Sequence, residues 1–129
     1  MNQQNAVDVY RRDAIETAPP LKLVRLLYEG AIRFLDRAMR CDPTDANSQF
    51  AYWIERASAI VIELRCALDK DAAPEIADNL EQLYYFCELR LGRAIVRRDV
   101  TDVPAVRQIL ANLLEGWSAI DLRTKTGAP

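Results

Sequence analysis

The chain has 129 residues, of which half are hydrophobic and 28% are charged, and its formal net charge is −2. This length suits one domain with a core of its own, and this composition excludes an intrinsically disordered chain. A net charge close to zero, without a basic stripe, argues against a nucleic-acid-binding protein, and no apolar run is long enough for membrane insertion.

The first 18 residues are mostly polar and show no helical periodicity, so we predict an extended N-terminal segment over 1–18. This segment contains no apolar stretch of the signal-peptide type. The three cysteines are widely spaced and odd in number. Without an export signal, we expect them to be reduced thiols in a cytoplasmic protein.

The first helix is predicted over 19–40, because Pro19-Pro20 suits a first helical turn and apolar residues then recur at helical spacing. These apolar residues cover roughly half of the helix circumference, whereas an ordinary surface helix needs a stripe of little more than about 100°. We therefore expect this helix to be covered on two sides, by its own bundle and by something else.

Three further helices and a flexible tail follow, predicted over 45–69, 74–99, 103–122 and 123–129. Thr44 or Asp45 is the expected N-cap of the second helix. Pro74 and Pro104 suit the first turns of the third and fourth helices, where a missing N–H costs nothing.

Each predicted helix has one apolar face that we expect to line the core. These core-facing residues are Leu23, Leu27, Ala31, Phe34, Ala38, Phe50, Trp53, Ile54, Ala57, Val61, Leu64, Leu68, Ile76, Leu80, Leu83, Tyr84, Cys87, Leu91, Ala94, Ile95, Val106, Ile109, Leu110, Leu113, Trp117 and Ile120. Four helices of about 20 residues joined by short loops predict an all-α fold, an antiparallel up-down four-helix bundle with an extended N-terminal segment. It would form one domain over 1–129.

The sequence offers little catalytic chemistry. It contains no histidine, the commonest general acid–base and metal ligand. Cys41, Cys66 and Cys87 lack metal-binding spacing, and the glycines form no phosphate-binding loop. We therefore predict a protein that is not an enzyme and that needs neither cofactor nor metal.

Two stripes of apolar residues lie off the predicted core faces. In the third helix the stripe consists of Tyr85, Leu89, Gly92 and Val96; in the second it consists of Tyr52, Ala59, Ile62 and Cys66. Gly92 costs a helix interior up to about 1 kcal/mol, which fits a place where another backbone comes close. We interpret the stripes as a groove for an amphipathic segment of a partner. The alternative is padding at the edge of a small core, or cover by the N-terminal segment.

The sequence also resembles a known family over nearly its whole length. Tyr10 followed by ETAPPLKLVRLLYEGAIRFLDRA over 16–38, IVIELRCALD over 60–69, IADNLEQLYYFCELRLGRA over 76–94 and Trp117 are similar to patterns that recur in the same order in FliS. FliS is the flagellin-specific export chaperone of the bacterial flagellar secretion system.

This resemblance implies a cytoplasmic helical bundle, without a catalytic group, that binds the disordered C-terminal segment of flagellin. Binding would prevent premature polymerisation and deliver the subunit to a component of the flagellar export gate. The resemblance further implies that the N-terminal segment with Tyr10 folds over the binding surface when flagellin is absent, and we expect Ile15 to take part.

The expected partner-binding residues are Tyr10, Ile15, Tyr52, Ala59, Ile62, Cys66, Tyr85, Leu89, Gly92 and Val96. Two alternatives stay open at this point. The apolar stripes would also suit the homodimer interface of a self-assembling bundle, or a chaperone for another secreted helical substrate.

Overall fold

The computed structural model describes the backbone of residues 19–126 and the side chains of residues 22–119. Over this part of the chain it contains helices and turns but no strand. The helices are α1 (Pro19–Ala38), α2 (Phe50–Cys66), α3 (Pro74–Arg97) and α4 (Val103–Thr126). Helices α1 and α3 each pack against both α2 and α4. The predicted all-α helical bundle is therefore confirmed.

The second helix begins at Phe50, five residues later than predicted, and neither Thr44 nor Asp45 is its N-cap. The polar side chains of this connection stabilise turns instead. The Asp42 carboxylate accepts hydrogen bonds from the Thr44 amide at 2.9 Å and the Thr44 hydroxyl at 2.7 Å. The Ser48 hydroxyl donates to the Asp42 carbonyl at 2.6 Å. Local side-chain bonds of this kind compete with a helix.

The other helix ends differ less from the predicted ones. Helix α3 ends at Arg97, because Arg98 adopts a left-handed conformation, with φ 52° and ψ 53°, that closes the helix. Helix α4 continues to Thr126, so residues 123–126 are helical although we predicted a tail there. The predicted N-terminal segment 1–18 and residues 127–129 lie outside the described residues.

The core is centred on fully buried side chains of all four helices, among them Tyr28, Leu35, Ile54, Leu91 and Leu110. In α1 the predicted Ala31 and Ala38 are buried, but Tyr28 and Leu35 are buried in place of Leu27 and Phe34. The reason is that α1 has a neighbour on each flank, so the middle of its broad apolar arc faces inward.

The predicted Phe34 and Leu27 therefore lie on the flank of α1 that faces α2, where the Phe34 and Trp53 rings stack with centroids 5.6 Å apart. Two bundle neighbours thus account for most of the broad arc, and our expectation that it requires a cover from outside is wrong for its middle part. The exception is the N-terminal half of α1, where Leu23 is 56% and Leu26 is 50% exposed.

The prediction of a core position is wrong for three residues, because Leu23, Ile76 and Leu83 are exposed. Ile76 and Leu83 lie on α3, and α3 and α4 make less contact with each other than any other neighbouring pair of helices. Helical periodicity identifies an apolar face, but it does not indicate how closely the next helix approaches that face.

Candidate partner-binding surface

The apolar stripe of α3 is exposed along its length. Tyr85 is 53%, Leu89 is 57% and Val96 is 83% exposed. The three side chains and Gly92 recur every three or four residues, so they share one side of the helix. We call this set the α3 outer stripe.

Two of the four residues of the stripe predicted in α2 lie next to the α3 outer stripe. The Arg65 side chain marks the side of α2 that faces α3, because its Nε donates to the Glu88 carboxylate of α3 at 2.5 Å. Ile62, which is 40% exposed, and exposed Cys66 follow on the same side of α2 by helical periodicity. Ala59 is exposed on the face of α2 that points away from the core.

Tyr52, the remaining member of the predicted α2 stripe, points elsewhere. Its ring packs edge-on against Trp53, with centroids 4.8 Å apart, and the Arg56 guanidinium lies 5.9 Å from its centroid. Arg56 also lies over Phe34 of α1, at 5.3 Å. The structure therefore groups Tyr52 with the α1–α2 contact and not with the α3 outer stripe.

An ion pair borders the α3 outer stripe on the side of α2. Arg65 binds both carboxylate oxygens of Glu88, through Nε at 2.5 Å and Nη2 at 3.1 Å. This pairing raises the pKa of the Arg65 guanidinium above its already high ordinary value. The same guanidinium lies 5.9 Å from the Tyr85 ring centroid, so it also holds one face of that ring. A helix laid along the stripe would meet a polar border here and apolar side chains beside it.

Gly92 lies within the α3 outer stripe, and nothing inside the fold requires it to be glycine. A Cβ atom built on Gly92 would meet no heavy atom within 4 Å. A glycine in a helix interior costs about 1 kcal/mol relative to alanine. Its exposed backbone leaves room for a second chain to approach closely.

A second apolar stripe on α3, which the sequence analysis missed as an exposed surface, lies on the side towards α4. Ile76 is 62%, Leu83 is 38% and Phe86 is 38% exposed. Exposed Gly116 of α4, like Gly92, has nothing within 4 Å of a Cβ built on it. The sequence signal for this stripe is its helical spacing, seven residues from Ile76 to Leu83 and three from Leu83 to Phe86. We call Ile76, Leu83 and Phe86 the α3 inner stripe.

A cavity of about 220 Å³ opens at the end of the bundle where the α3 inner stripe begins. Its lining is mostly apolar and includes Leu23, Leu27, Leu68, Ile76, Leu80, Tyr84 and Trp117. A void of this size is large enough for one or two apolar side chains of a partner.

The floor of the cavity is held by a buried hydrogen-bond network. The hydroxyl groups of Tyr28 and Tyr84 hydrogen-bond to each other. The Trp117 indole N–H donates to the Tyr28 oxygen at 3.2 Å. Burial raises the pKa of the Tyr28 phenol, so this hydroxyl keeps its proton at physiological pH. The hydroxyl groups of Tyr28 and Tyr84 are therefore paired beside the cavity and are not left unsatisfied.

Among the described residues, we find no arrangement of side chains that resembles a catalytic site. No group of three or more His, Cys, Asp or Glu side chains in that part of the chain is arranged to hold a metal ion. Cys87 is buried, and burial raises the pKa of its thiol to about 11, so it is protonated and unreactive at neutral pH. None of the described helices is long and apolar enough to cross a membrane.

The comparisons with known proteins agree with one another. Residues 2–124 match a family model described as "Flagellar protein FliS". The flagellar secretion chaperone FliS of Campylobacter jejuni is 30% identical over 120 residues, which cover 93% of this chain and 94% of that protein. FliS of Salmonella typhimurium is 31% identical over 108 residues, covering 83% of this chain and 80% of the relative. FliS of Escherichia coli is 32% identical over 107 residues, which cover 81% of this chain and 77% of that protein.

Proposed function

The chain belongs to the FliS family, and from this membership we propose that it is a flagellar secretion chaperone that binds the disordered C-terminal segment of flagellin. The binding takes place in the cytoplasm before export. The bound segment is withheld from polymerisation, and the complex is delivered to a component of the flagellar export gate. The chain does this by binding alone, not as an enzyme.

The observation that carries the proposal is the exposure of apolar side chains on both sides of α3. The α3 outer stripe and the α3 inner stripe together leave six large apolar side chains of one helix in contact with water. Scattered apolar residues are common on protein surfaces, but two ordered stripes on one helix fit recognition of an amphipathic segment. A segment that lies along one stripe and continues around the bundle would use both.

The energetics of such a complex suit a chaperone. Covering apolar surface yields about 25 cal/mol per Å², and ordering a disordered segment costs a few kcal/mol in return. The net binding free energy is the gain from burial minus the cost of ordering. It makes binding tight enough to suppress self-association of the client by mass action. The ordering cost keeps binding reversible enough for release at the export gate.

The test is a calorimetric titration of the full chain with a peptide of about 40 residues from the C-terminus of the same organism's flagellin. We expect saturable binding with a negative heat-capacity change and a gain in far-UV helical signal, since the peptide folds as it binds. A scrambled peptide of the same composition is the control.

A homodimer is the alternative to a client-binding surface. Sedimentation of the free chain distinguishes the two, because a dimer that buries the α3 stripes would be tight and would ignore the flagellin peptide. A tight dimer without peptide binding would contradict the proposal.

A further inference from the structure

A second kind of surface lies where α1 packs against α2, away from the α3 stripes. Three aromatic rings meet there and two guanidinium groups cover them. Phe34 stacks on Trp53, and Tyr52 packs edge-on against Trp53. Arg37 lies 4.7 Å from the Trp53 centroid, and Arg56 lies 5.3 Å from the Phe34 centroid. We call these five residues the arginine–aromatic surface.

In the part of the chain that the structure describes, Arg37 and Arg56 form no ion pair with a carboxylate. Arg33 and Arg40 extend the surface along the exposed face of α1. Among the described side chains, none of Arg33, Arg37, Arg40 and Arg56 has an acidic group within ion-pair distance. The arginines that do bind carboxylates between elements of the bundle lie elsewhere: Arg65, Arg90, Arg93 and Arg107.

Two acidic side chains close to this surface in the sequence are already engaged, whereas exposed Glu55, which precedes Arg56, forms no ion pair among the described side chains. Asp36 binds Arg107 of α4 at 2.6 Å, on the other flank of α1. Asp42 accepts two hydrogen bonds from Thr44, which lower the pKa of its carboxyl group. Within the described residues, no carboxylate of the bundle therefore neutralises the charge of Arg37 or Arg56.

Stacking on the rings prepares the guanidinium groups for binding. A long arginine side chain normally loses considerable rotamer freedom when it is fixed, but a ring face restricts its guanidinium in advance. The guanidinium carbons of Arg37 and Arg56 lie 4.7 Å and 5.3 Å from the ring centroids, and the N–H edge of each group binds no carboxylate among the described side chains. That edge matches a carboxylate with two parallel hydrogen bonds.

The charge distribution along the chain indicates which class of anionic ligand suits the arginine–aromatic surface. Residues 19–40 contain five basic and two acidic side chains, whereas 69–81 contain five acidic and one basic side chain. The acidic region lies beside the cavity, at the opposite end of α2 from Trp53. A long polyanion such as a nucleic acid would be repelled by that region, and a short acidic peptide segment would not reach it.

From these observations we propose that the arginine–aromatic surface is a second docking surface, which binds an acidic segment of a partner protein. Carboxylates of that segment bind the edges of Arg37 and Arg56, and its apolar side chains cover the exposed part of the three rings. This surface is separate from the α3 stripes, so the chaperone can bind this partner while a client occupies α3. The proposal goes beyond the client binding proposed above.

The test uses the full chain and a labelled, tryptophan-free synthetic peptide in which aspartate and glutamate flank single leucine residues. The control peptide has asparagine and glutamine at the acidic positions. We expect fluorescence anisotropy to detect binding of the acidic peptide alone, with a change in the tryptophan emission of the chain. Binding should weaken at least about tenfold when NaCl is raised from about 50 to about 300 mM, since exposed charges are then screened.

The variant Arg37→Glu/Arg56→Glu should lose binding by at least about tenfold, since both guanidinium contacts are lost and two carboxylates then repel the acidic peptide. Arg97→Glu, an equally exposed arginine at the end of α3, is the matched control and should bind as the parent does. Far-UV spectra and thermal unfolding check that the variants fold, and Arg37→Gln/Arg56→Gln replaces the double glutamate variant if that one does not.

Each of the following outcomes would overturn the proposal of an acidic-peptide docking surface. Equal binding of the two peptides, or of parent and double variant, would exclude carboxylate recognition by these arginines. Tighter binding of a single-stranded oligonucleotide would identify a nucleic-acid surface. Loss of self-association in the double variant would identify a second copy of the chain as the occupant. Loss of flagellin-peptide binding would show that this surface is part of the client site, and the calorimetric titration above tests that site on its own.

Discussion

Gly92 shows how a single residue can weaken a helix without any benefit inside the fold. Since a Cβ at this position meets nothing within 4 Å, Gly92→Ala is expected to raise the free energy of unfolding. The gain should be about 0.5–1 kcal/mol, measured by urea denaturation. If a client backbone lies against Gly92, the same change should weaken flagellin-peptide binding.

Gly30→Ala is the matched control for this prediction. Gly30 is also inside a helix, and its Cβ would meet Ile60 Cδ1 at 3.5 Å, an ordinary contact. Gly30 is buried, so a client has no access to it. We expect Gly30→Ala to leave peptide binding unchanged. If Gly92→Ala stabilises the chain and binds the peptide as the parent does, no backbone approaches Gly92 in the complex.

Cys87 makes the free energy of unfolding depend on pH in the alkaline range. Burial raises the pKa of its thiol from an ordinary 9.0 to about 11, so the unfolded chain loses this proton first. The free energy of unfolding is therefore unaffected below pH 9 and falls as the pH rises towards 11. The loss should reach about 1.4 kcal/mol at pH 10, the equivalent of one pKa unit.

Urea denaturation between about pH 8 and pH 10 measures this loss in the parent and in Cys87→Ala. The variant should start less stable, because it loses a buried sulfur atom, and it should decline less over this range. If both proteins decline equally, Cys87 is not the group that titrates.

At the scale of the element, α3 is unusual because it contributes to the core along one side and exposes apolar residues along two others. Tyr84, Cys87, Leu91 and Ala94 are buried, and the α3 outer and inner stripes lie on either side of them, with Phe86 three residues from Leu89 on the exposed face. A helix whose apolar residues extend so far around its circumference is usually buried on more than one side. Here the bundle supplies only part of that cover.

Charged substitutions on each stripe distinguish the two sides. Leu89→Glu/Val96→Glu changes exposed residues of the α3 outer stripe, so stability should stay within about 0.5 kcal/mol of the parent. Flagellin-peptide binding should fall by about 100-fold, which corresponds to about 3 kcal/mol for two apolar contacts. Calorimetry measures the affinity, and the far-UV spectrum should remain helical.

The matching variant on the other side is Ile76→Glu/Leu83→Glu, and Ala105→Glu/Gln108→Glu on exposed positions of α4 is the control for added charge. A client that extends around α3 should be weakened by both α3 variants and by neither control substitution. Unchanged binding in Leu89→Glu/Val96→Glu would exclude the α3 outer stripe as the site.

At the scale of the whole molecule, the relation between the N-terminal segment and the client remains a prediction. Tyr10 and Ile15 lie outside the described residues, and only the sequence supports their role. A tethered segment that occupies a binding surface lowers the apparent affinity of a client by direct competition. Deleting residues 1–15 should therefore strengthen flagellin-peptide binding or speed it.

Calorimetry and stopped-flow fluorescence of the deletion variant measure both effects. Tyr10→Ala should reproduce part of the gain, and Asn5→Ala in the same segment should not. Unchanged affinity and rate would count against the competitor, and weaker binding would mean that the segment contacts the client directly.

The sequence by itself determined the helical bundle and the family. The helices follow from local rules, since prolines in first turns and apolar spacing depend only on near neighbours in the chain. The exposure of Tyr85, Leu89 and Val96 was predicted in the same way, because a second stripe on one helix cannot face the core together with the first.

The tertiary structure alone decided which apolar residues are left uncovered elsewhere. Leu23, Ile76 and Leu83 fit a core face by periodicity, yet they are exposed because no neighbouring helix closes over them. The Trp53 ring of α2 stacks on Phe34 of α1, a contact between residues that are distant in the sequence, and this contact places the neighbouring Tyr52 beside it. Spacing along one helix fixes the direction of each side chain, whereas burial depends on how closely other helices approach, and that distance is set by the packing of the whole bundle.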